Sequence, residues 1–288
     1  MTTIAGKTIL ITGASRGIGA VIAGELAQQQ ATIVGVARSQ TELERVCADI
    51  RATGGKASAI AGDISQVEQL ATLVAEIEAR VGSIDILVNN AGIEIYQAFP
   101  DCSLTQIQSV LSVNLLAAME LTRLLLPSML QQCSGHIINI ASLASKKGHP
   151  YDSIYSASKA GLLMWGNALR QELADTGVEI SAICPGYVAN CGLLADTGVP
   201  APSLAGVSKS QDVAQAVVKA IAKNRAEVIV NGNLITENLT RLLLASEQFF
   251  PRLGDSVNRW LGVTKLNQRR IGSMDSRVKS NKQSSLIR

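Results

Sequence analysis

The sequence has few of the residues that build metal sites, disulfide frameworks or membrane spans. It contains only two histidines, His136 and His149, and aromatic residues make up 3% of the chain. Its five cysteines are scattered and never spaced as CxxC, which argues against a zinc site and against a disulfide framework. No uninterrupted apolar run approaches the roughly 18 residues of a membrane-spanning helix, and no signal pattern opens the chain. A cytoplasmic protein without a metal is therefore expected.

Charged residues are also sparse, at 17% of the chain, and they are unevenly distributed. Residues 264–288 contain seven Lys or Arg and one acid, so the net charge of this tail is +6. Because the whole chain has a net charge of +3, the rest of the chain has a net charge of −3. The body of the chain therefore lacks the basic surplus of a nucleic-acid binder. Because Ser, Asn, Gln and Lys dominate residues 263–288, a disordered basic tail is predicted there.

Short apolar runs alternate regularly with longer helical patterns along the chain. Apolar runs without polar alternation are typical of strands buried on both faces, and they occur at 7–12, 31–37, 56–61, 84–89, 136–141, 178–183 and 226–231. This alternation predicts a doubly wound, Rossmann-like α/β fold, with a seven-stranded parallel sheet, helices on both faces and ligands beyond the carboxyl ends of the strands. We predict one domain over residues 1–262, and Ser65 with Glu68 predicts a capping box.

A glycine-rich turn, "TGASRGIG" at 12–19, joins the first predicted strand to the first predicted helix. Gly13 permits a tight turn, Gly17 permits close approach of a pyrophosphate, and Gly19 permits close helix packing. The helix N-terminus supplies amides and a positive dipole for an anion. The spacing differs from GxGxxG, and a turn that serves geometry alone is the competing interpretation. The position at the start of such a sheet favours dinucleotide binding.

The end of the second strand bears on which dinucleotide would bind. An acidic residue there would accept hydrogen bonds from a ribose 2′-hydroxyl group, but the strand ends at Ala37 and Arg38. Arg38 and Arg16 would instead clamp a 2′-phosphate through charge-assisted hydrogen bonds. This arrangement predicts a preference for NADPH over NADH. The alternative is that both arginines are solvated surface residues.

Seven motifs occur in the order found in one known family. They are "TGASRGIG", "GDI" (62–64), "NNAG" (89–92), Asn114 in "VNLL", "NIAS" (139–142), "YSASK" (155–159) and "PG" (185–186). With them, the chain resembles the short-chain dehydrogenase/reductase family over nearly residues 5–235. The resemblance implies an NADP(H)-dependent oxidoreductase that interconverts a carbonyl and a secondary alcohol. A cofactor-sensing or scaffold protein that kept the fold without turnover is the rival interpretation.

The resemblance assigns roles to four catalytic residues, Asn114, Ser142, Tyr155 and Lys159. Tyr155 is the expected acid/base, and a free phenol has a pKa of about 10, too high for easy proton transfer near neutrality. Lys159, one helical turn later, is expected to lower that pKa and to bind the nicotinamide ribose. Ser142 would fix the substrate oxygen, and Asn114 would hold a water beside the lysine.

The remaining implied residues contact the cofactor. Asp63 would contact the adenine, the Val188 amide would meet the nicotinamide carboxamide, and Asn190 stands where the family usually has Thr. The full predicted set is Gly13, Ser15, Arg16, Gly17, Ile18, Gly19, Arg38, Asp63, Ile64, Asn90, Ala91, Gly92, Tyr155, Lys159, Pro185, Gly186, Val188 and Asn190.

The far end of the chain bears on the substrate. The predicted lid, residues 190–210, holds only Asp196 and Lys209 as charged residues, which favours an apolar, uncharged carbonyl or alcohol: an acyl-carrier-linked, steroid-like or sphingoid-type ketone. The apolar stretch 233–262, which Pro251 would break or kink, has three interpretations: a wall of the substrate cleft, an oligomer contact, or a peripheral membrane contact together with the basic tail.

Three further expectations concern single residues and assembly. Tyr151 either lines the substrate pocket or is a loop tyrosine, and His149 is expected to be a loop residue. The resemblance implies a homodimer or homotetramer formed through the helices near 103–132 and 153–175.

Overall fold

A seven-stranded parallel sheet forms the centre of the protein, in a computed structural model that describes residues 2–189, 196–202 and 205–271. Its strand order is β3-β2-β1-β4-β5-β6-β9, and β7 and β8 pair separately. The strands are β1 Thr8–Thr12, β2 Thr32–Ala37, β3 Lys56–Ala61, β4 Ile86–Asn89, β5 Gly135–Ile140, β6 Val178–Pro185, β7 Tyr187–Val188, β8 Val207–Ser208 and β9 Glu227–Val230. All seven predicted strands are present, and the predicted fold class is confirmed.

Ten helices surround the sheet or follow it within the described residues. They are α1 Gly17–Gln28, α2 Gln40–Ala52, α3 Leu70–Val81, α4 Leu104–Leu111, α5 Ala117–Gln131, α6 Ser153–Glu172, α7 Ser210–Lys223, α8 Leu234–Phe249, α9 Pro251–Trp260 and α10 at 263–271. A π-helical turn, Ser112–Leu116, joins α4 to α5.

The strands are apolar at every position because helices cover both faces of the sheet. In β1, Ile9 and Ile11 belong to the core that contains residues of α1 and α7, whereas Leu10 belongs to the opposite core beneath α3 and α5. None of these three side chains is exposed to solvent. Burial on two faces removes the period-two alternation that a half-exposed strand would show.

Side-chain caps fix the start of some helices but not of α3. Ser103 and Gln106 form a reciprocal capping box at α4, with N–O distances of 3.2 and 2.8 Å. The box predicted at Ser65 and Glu68 is wrong. A 3₁₀ turn occupies Val67–Gln69, and no side chain caps it or α3. The Ser65 amide donates instead to Asp63 Oδ1 at 3.0 Å, which forms a local turn.

The C-terminal extension is helical, and its boundary differs from the predicted one. Pro251 is the first residue of α9 and separates it from α8, as expected for a residue that cannot continue a helix. The prediction of a disordered tail from residue 263 was wrong for 263–271, which form α10 with Asn267 and Arg270 buried. Residues 272–288 lie outside the described part of the chain.

Within the described residues, one continuous helical stretch passes a length and composition test for crossing a membrane. It covers Leu104–Gln131, and an 18-residue window within it has a mean hydropathy of 1.5. Its side chains Leu121, Leu125 and Met129 are buried in the core beneath the sheet, and the core helix of a soluble protein passes the same test.

Candidate active site

The glycine-rich turn forms a cradle at the carboxyl end of β1. Gly13 has φ +67° and Gly17 has φ +61°, in the left-handed region that glycine adopts without strain. A Cβ atom on Gly19 would lie 2.3 Å from the Gly13 carbonyl oxygen and 2.5 Å from Asn90 Nδ2. Asn90 Nδ2 donates to the Thr12 carbonyl oxygen at 2.9 Å, which ties β4 to this turn. Only glycine fits, so the amides of α1 are open to a phosphate.

One cleft of about 820 Å³ runs from this cradle across the carboxyl ends of the strands. Its lining contains every described residue of the predicted cofactor set: Gly13, Ser15, Arg16, Gly17, Ile18, Gly19, Arg38, Asp63, Ile64, Asn90, Ala91, Gly92, Tyr155, Lys159, Pro185, Gly186 and Val188. Asn190 lies outside the described residues. The cleft and its glycine cradle fit an extended dinucleotide.

The two arginines predicted to clamp a 2′-phosphate have different surroundings. Arg16 forms a two-point ion pair with Asp196, with N–O distances of 2.9 and 2.8 Å. That hydrogen bond and the charge of Asp196 raise the pKa of Arg16, although burial opposes the rise. Arg38 is exposed where β2 ends. Both arginines line the cleft, after the adjacent strands β1 and β2. Asp196 belongs to the predicted lid, of which residues 190–195 and 203–204 lie outside the described part of the chain.

Ser142 and Tyr155 lie at the inner end of the cleft. Ser142 follows β5, and its Oγ accepts from the Ala144 amide at 3.1 Å. Tyr155 is in the first turn of α6, and its side chain is buried. Burial raises the pKa of the Tyr155 phenol, as do the charges of Glu94 and Asp152, while a hydrogen bond with Ser142 opposes the rise. The phenol is thus a protonated group beside the serine hydroxyl.

Lys159 is buried one turn after Tyr155, with its Nζ atom 5.8 Å from the centroid of the tyrosine ring. The ammonium donates to the Ile140 carbonyl oxygen at 2.7 Å. Burial lowers the pKa of Lys159 to about 8, against the opposing charge of Glu94. The expected lowering of the Tyr155 pKa is not the outcome here, because burial and the two nearby carboxyl groups raise it.

Asn114 is held in the π-helical turn between α4 and α5. Its amide spans the backbone of Ile93, with Oδ1 accepting from the amide at 2.8 Å and Nδ2 donating to the carbonyl at 2.9 Å. Nδ2 also donates to Ser158 Oγ at 3.0 Å. A Cβ atom on Gly92 would lie 3.5 Å from both Asn114 Oδ1 and Lys159 Nζ, so these two side chains approach one point. A π-helical turn of this kind is frequent at functional sites.

The sequence analysis did not assign a polar cluster near Tyr155, which consists of Glu94, Tyr96, Asp152 and Arg270. Tyr96 donates to Glu94 Oε1 at 2.6 Å, and Arg270 Nη1 donates to the Tyr96 hydroxyl at 2.8 Å. Burial raises the pKa of Glu94 and raises that of Asp152 well above its ordinary value, which the Glu94 charge raises further. Glu94 stands two residues after "NNAG", which was the one local signal for its position.

His149 and Tyr151 lie in the loop that precedes α6. His149 lines the cleft, and burial lowers its pKa to about 4, so it is neutral near pH 7. The Tyr151 hydroxyl accepts from Gln268 Nε2 at 2.7 Å, as a loop tyrosine that docks α10. No group of three His, Cys, Asp or Glu suited to a metal occurs in the described parts of the chain.

The C-terminal extension borders the cleft with one face and solvent with the other. Leu243 and Leu244 of α8 and Val257 of α9 line the cleft, which agrees with the interpretation of this stretch as a wall of the substrate cleft. The opposite face exposes Ile235, Leu239, Leu242, Phe249 and Trp260.

Comparisons with known proteins agree with this architecture. A short chain dehydrogenase family model matches residues 7–197. The ketoacyl reductase HetN of Nostoc sp. is 56% identical over 279 residues, 97% of this chain and 96% of the relative. A 3-oxoacyl-[acyl-carrier-protein] reductase of Synechocystis sp. is 37% identical over 66% of this chain and 77% of the relative. The crystal structure of a metagenomic short-chain oxidoreductase in complex with NADP is 32% identical, with a TM-score of 0.70, and covers 81% of this chain and 100% of its own.

The motifs, the cleft and the family match lead to one conclusion: this chain is an oxidoreductase of the short-chain dehydrogenase family.

Proposed function

We propose that the chain uses NADP(H) to interconvert a carbonyl and a secondary alcohol, with Tyr155 as acid/base. The observation that carries the proposal is the buried, protonated Tyr155 phenol beside the Ser142 hydroxyl at the inner end of a cleft that begins at a phosphate cradle. A bound nicotinamide supplies or accepts the hydride, and the protein residues handle the oxygen and its proton.

In reduction, the proton donor and the group that orients the substrate come from different elements. Ser142, after β5, would hydrogen-bond the substrate oxygen, and Tyr155, on α6, would donate its proton to the same oxygen. Because burial raises the pKa of Tyr155, the phenol keeps its proton at neutral pH, although the same shift makes it a weaker proton donor than a free phenol. Lys159 is fixed by the Ile140 carbonyl and supplies a positive charge near the ring while it remains protonated, below pH about 8.

The preference for NADPH rests on the end of the cleft that holds the arginines. β2 ends in Ala37, without a carboxylate for a ribose 2′-hydroxyl, and Arg16 and Arg38 both line the cleft. The solved metagenomic neighbour contains NADP. Arg16 would release or share Asp196 on binding a 2′-phosphate. That exchange costs little, because exposed ion pairs contribute roughly 0–1 kcal/mol.

A 3-ketoacyl thioester is the substrate class that we propose. Two relatives are named as ketoacyl or 3-oxoacyl reductases, and one of them aligns with nearly the whole chain. The apolar wall of Leu243, Leu244 and Val257 suits an acyl chain. This choice falls within the apolar carbonyl class, although Glu94, Tyr96 and Arg270 also line the cleft and add polar groups to it.

The test mixes the purified protein with NADPH or NADH and acetoacetyl-N-acetylcysteamine, a small 3-ketoacyl thioester, and follows the loss of reduced cofactor. Consumption of NADPH faster than NADH is expected. The Arg16→Glu, Arg38→Glu double variant should lose that preference, and an unchanged ratio would contradict the clamp. Tight NADPH binding without turnover of this thioester or of simple ketones would favour the cofactor-sensing role.

A further inference from the structure

The outer side of α8 carries a row of apolar side chains that faces solvent. The row is 60–80% exposed and consists of Ile235, Leu239, Leu242 and Phe249. Their spacing of four, three and seven residues puts them on one face of the helix. Leu244, which lines the cleft, falls on the opposite side. A helix that covers a core needs only one apolar stripe, so a second stripe on its outer side indicates a further partner.

The apolar row continues into α9, which is in contact with α8. Phe250, between the two helices, is exposed, as are Leu253 and Trp260, which a seven-residue spacing puts on the same side of α9. Two of the three phenylalanines of the chain and one of its two tryptophans are in this surface. Phe, Trp and Leu are typical of helices that lie in the interface of a lipid bilayer. We call the surface the outer apolar face: Ile235, Leu239, Leu242, Phe249, Phe250, Leu253 and Trp260.

Cations accompany the outer apolar face. Arg252 and Arg259 directly precede the two apolar residues of α9, with the same seven-residue spacing, and both are exposed. Lys265 and Arg269 are exposed on α10. Residues 233–288 contain ten Lys or Arg and four acids, so their net charge is +6, whereas the rest of the chain has a net charge of −3. The positive charge of the protein is therefore concentrated around this face.

The acids of the described extension do not offset these cations at the surface. Glu237 forms an ion pair with Arg241 at 2.8 Å, and Asp255 forms one with Lys147 at 2.7 Å. Glu247 lines the cleft. Among the described residues of the extension, the exposed charges outside these two pairs are all positive.

This distribution of charge favours one kind of partner over another. A second copy docked through α9 with two-fold symmetry would bring Arg252 and Arg259 close to their own copies, and like charges oppose such a contact. An anionic surface has the complementary charge. A lipid surface also offers a flat apolar layer behind that charge, which matches an exposed row that runs along two successive helices.

We propose that the outer apolar face docks on an anionic phospholipid membrane, with α8 and α9 lying in the plane of the interface. The apolar side chains would enter the boundary between headgroups and acyl chains, and the cations would contact the lipid phosphates. Leu244 and Val257 line the cleft from the inner side of the same helices, so docking places one wall of the cleft next to the bilayer. This inference does not depend on the proposed carbonyl reduction.

The test is flotation of the full chain with unilamellar vesicles of phosphatidylcholine, alone or mixed with about one-third phosphatidylglycerol. We expect binding to the anionic vesicles to be at least about tenfold tighter than binding to the neutral ones, because several cations contact the anionic surface together. Binding should weaken as the salt concentration rises. Equal binding to both vesicles, or binding to neither, would overturn the proposal.

Substitution of exposed aromatic residues tests the apolar part of the contact. The double variant Phe249→Ser, Trp260→Ser should bind anionic vesicles at least about tenfold more weakly than the wild type. Both residues are more than 70% exposed, so the fold should be retained, and thermal unfolding checks this. Vesicle binding equal to that of the wild type would overturn the proposal.

Reversal of charge tests the electrostatic part with a matched control. Arg252→Glu with Arg259→Glu should weaken binding to anionic vesicles about tenfold or more. Lys219→Glu with Lys223→Glu makes the same change in net charge at exposed positions of α7, away from the outer apolar face. We expect less than about a threefold effect from the control, because salt screens distant charges. Equal losses in the two double variants would show that net charge alone drives binding and would overturn the docking surface.

Trp260 provides a measurement that needs no disruptive variant. The chain has two tryptophans, so the difference between the wild type and Trp260→Phe isolates the emission of Trp260. Because Trp260 is 73% exposed, its emission should shift to shorter wavelength when anionic vesicles are added. An unchanged Trp260 spectrum in vesicle-bound protein would place the contact elsewhere and overturn the proposal.

A second copy of the chain is the rival occupant of this face, and light scattering without vesicles distinguishes it. We expect the Phe249→Ser, Trp260→Ser variant to have the same molar mass as the wild type. A lower molar mass for the variant would show that the face is buried between copies and would overturn the membrane assignment.

Discussion

At the scale of single residues, burial decides the protonation of the groups around the site. It raises the pKa of Tyr155 and lowers that of Lys159 to about 8, so both shifts favour the uncharged form. Near neutrality the phenol therefore keeps its proton, but the raised pKa makes it a weaker acid, so the nearby charge of Lys159 must favour release of the proton. The sequence identified both residues but not the directions of their pKa shifts. The charges of Glu94 and Asp152 raise the pKa of Tyr155 only because the fold brings them close to it.

His136 predicts a measurable dependence of stability on pH. It is fully buried, its Nε2 lies 2.8 Å from Ser181 Oγ, and burial with the Arg170 charge lowers its pKa to about 3. The folded pKa is below the unfolded value of about 6.5. The stability contribution is thus complete above pH 6.5 and is lost as the pH falls toward 3. Between pH 7 and pH 5 the wild type should lose about 2 kcal/mol through this residue.

Urea unfolding of the wild type and of His136→Gln at the two pH values measures this contribution. The variant should be less stable at pH 7 but should lose less on acidification. His149 is present in both proteins, so its own titration cancels. Equal losses in the two proteins would show that His136 does not titrate in this range.

At the scale of elements, the strands could be predicted and the position of α10 could not. Each strand is buried on both faces, so its residues are apolar without interruption and the strand can be identified from its own sequence. The buried face of α10 consists of Val263, Asn267 and Arg270, two of which are polar. The sequence of α10 therefore lacks the apolar stripe from which a packed helix is predicted. Its partners, Tyr96 and Pro150, lie far away along the chain.

The first helix supplies a matched pair of glycines for testing the phosphate cradle. Gly19→Ala would place a methyl group 2.3 Å from the Gly13 carbonyl oxygen, so we expect a loss of about 1–3 kcal/mol in stability and at least tenfold weaker NADPH binding. Gly24 is in the same helix, and a methyl group added there would have nothing within 4 Å. Gly24→Ala should stabilise the protein by up to about 1 kcal/mol and leave binding unchanged.

Thermal unfolding and fluorescence titration of the two variants provide the comparison. If Gly19→Ala binds NADPH as tightly as Gly24→Ala does, close packing at this turn is not needed for cofactor binding.

At the scale of the whole molecule, two groups of exposed apolar residues in the described part of the chain bear on assembly. One includes Leu116 and Leu130 of the helical stretch after α4, with Met164 of α6, in the segments expected to pair between subunits. The other is the outer face of α8 and α9, which includes Phe249 and Trp260. The structure assigns the inner face of the extension to the cleft, so its outer face is the part still open to an oligomer or membrane contact.

Substitution of one exposed residue on each surface distinguishes them. We expect Met164→Glu to convert a dimer or tetramer into monomers, because a charge at a packed subunit interface is costly to desolvate. Phe249→Glu should leave the assembly unchanged. Molar mass by light scattering reports both results, and the opposite pattern would assign the oligomer contact to the extension.

The central claim, that Tyr155 donates the proton during carbonyl reduction, is tested most directly by Tyr155→Phe. The measurement is turnover of NADPH with the acetoacetyl thioester, paired with an NADPH titration of the same sample. The account predicts NADPH affinity within about threefold of wild type and a fall in kcat of roughly 10²–10⁴-fold, the usual contribution of a general acid. Turnover near the wild-type rate in a variant that binds NADPH normally would contradict it.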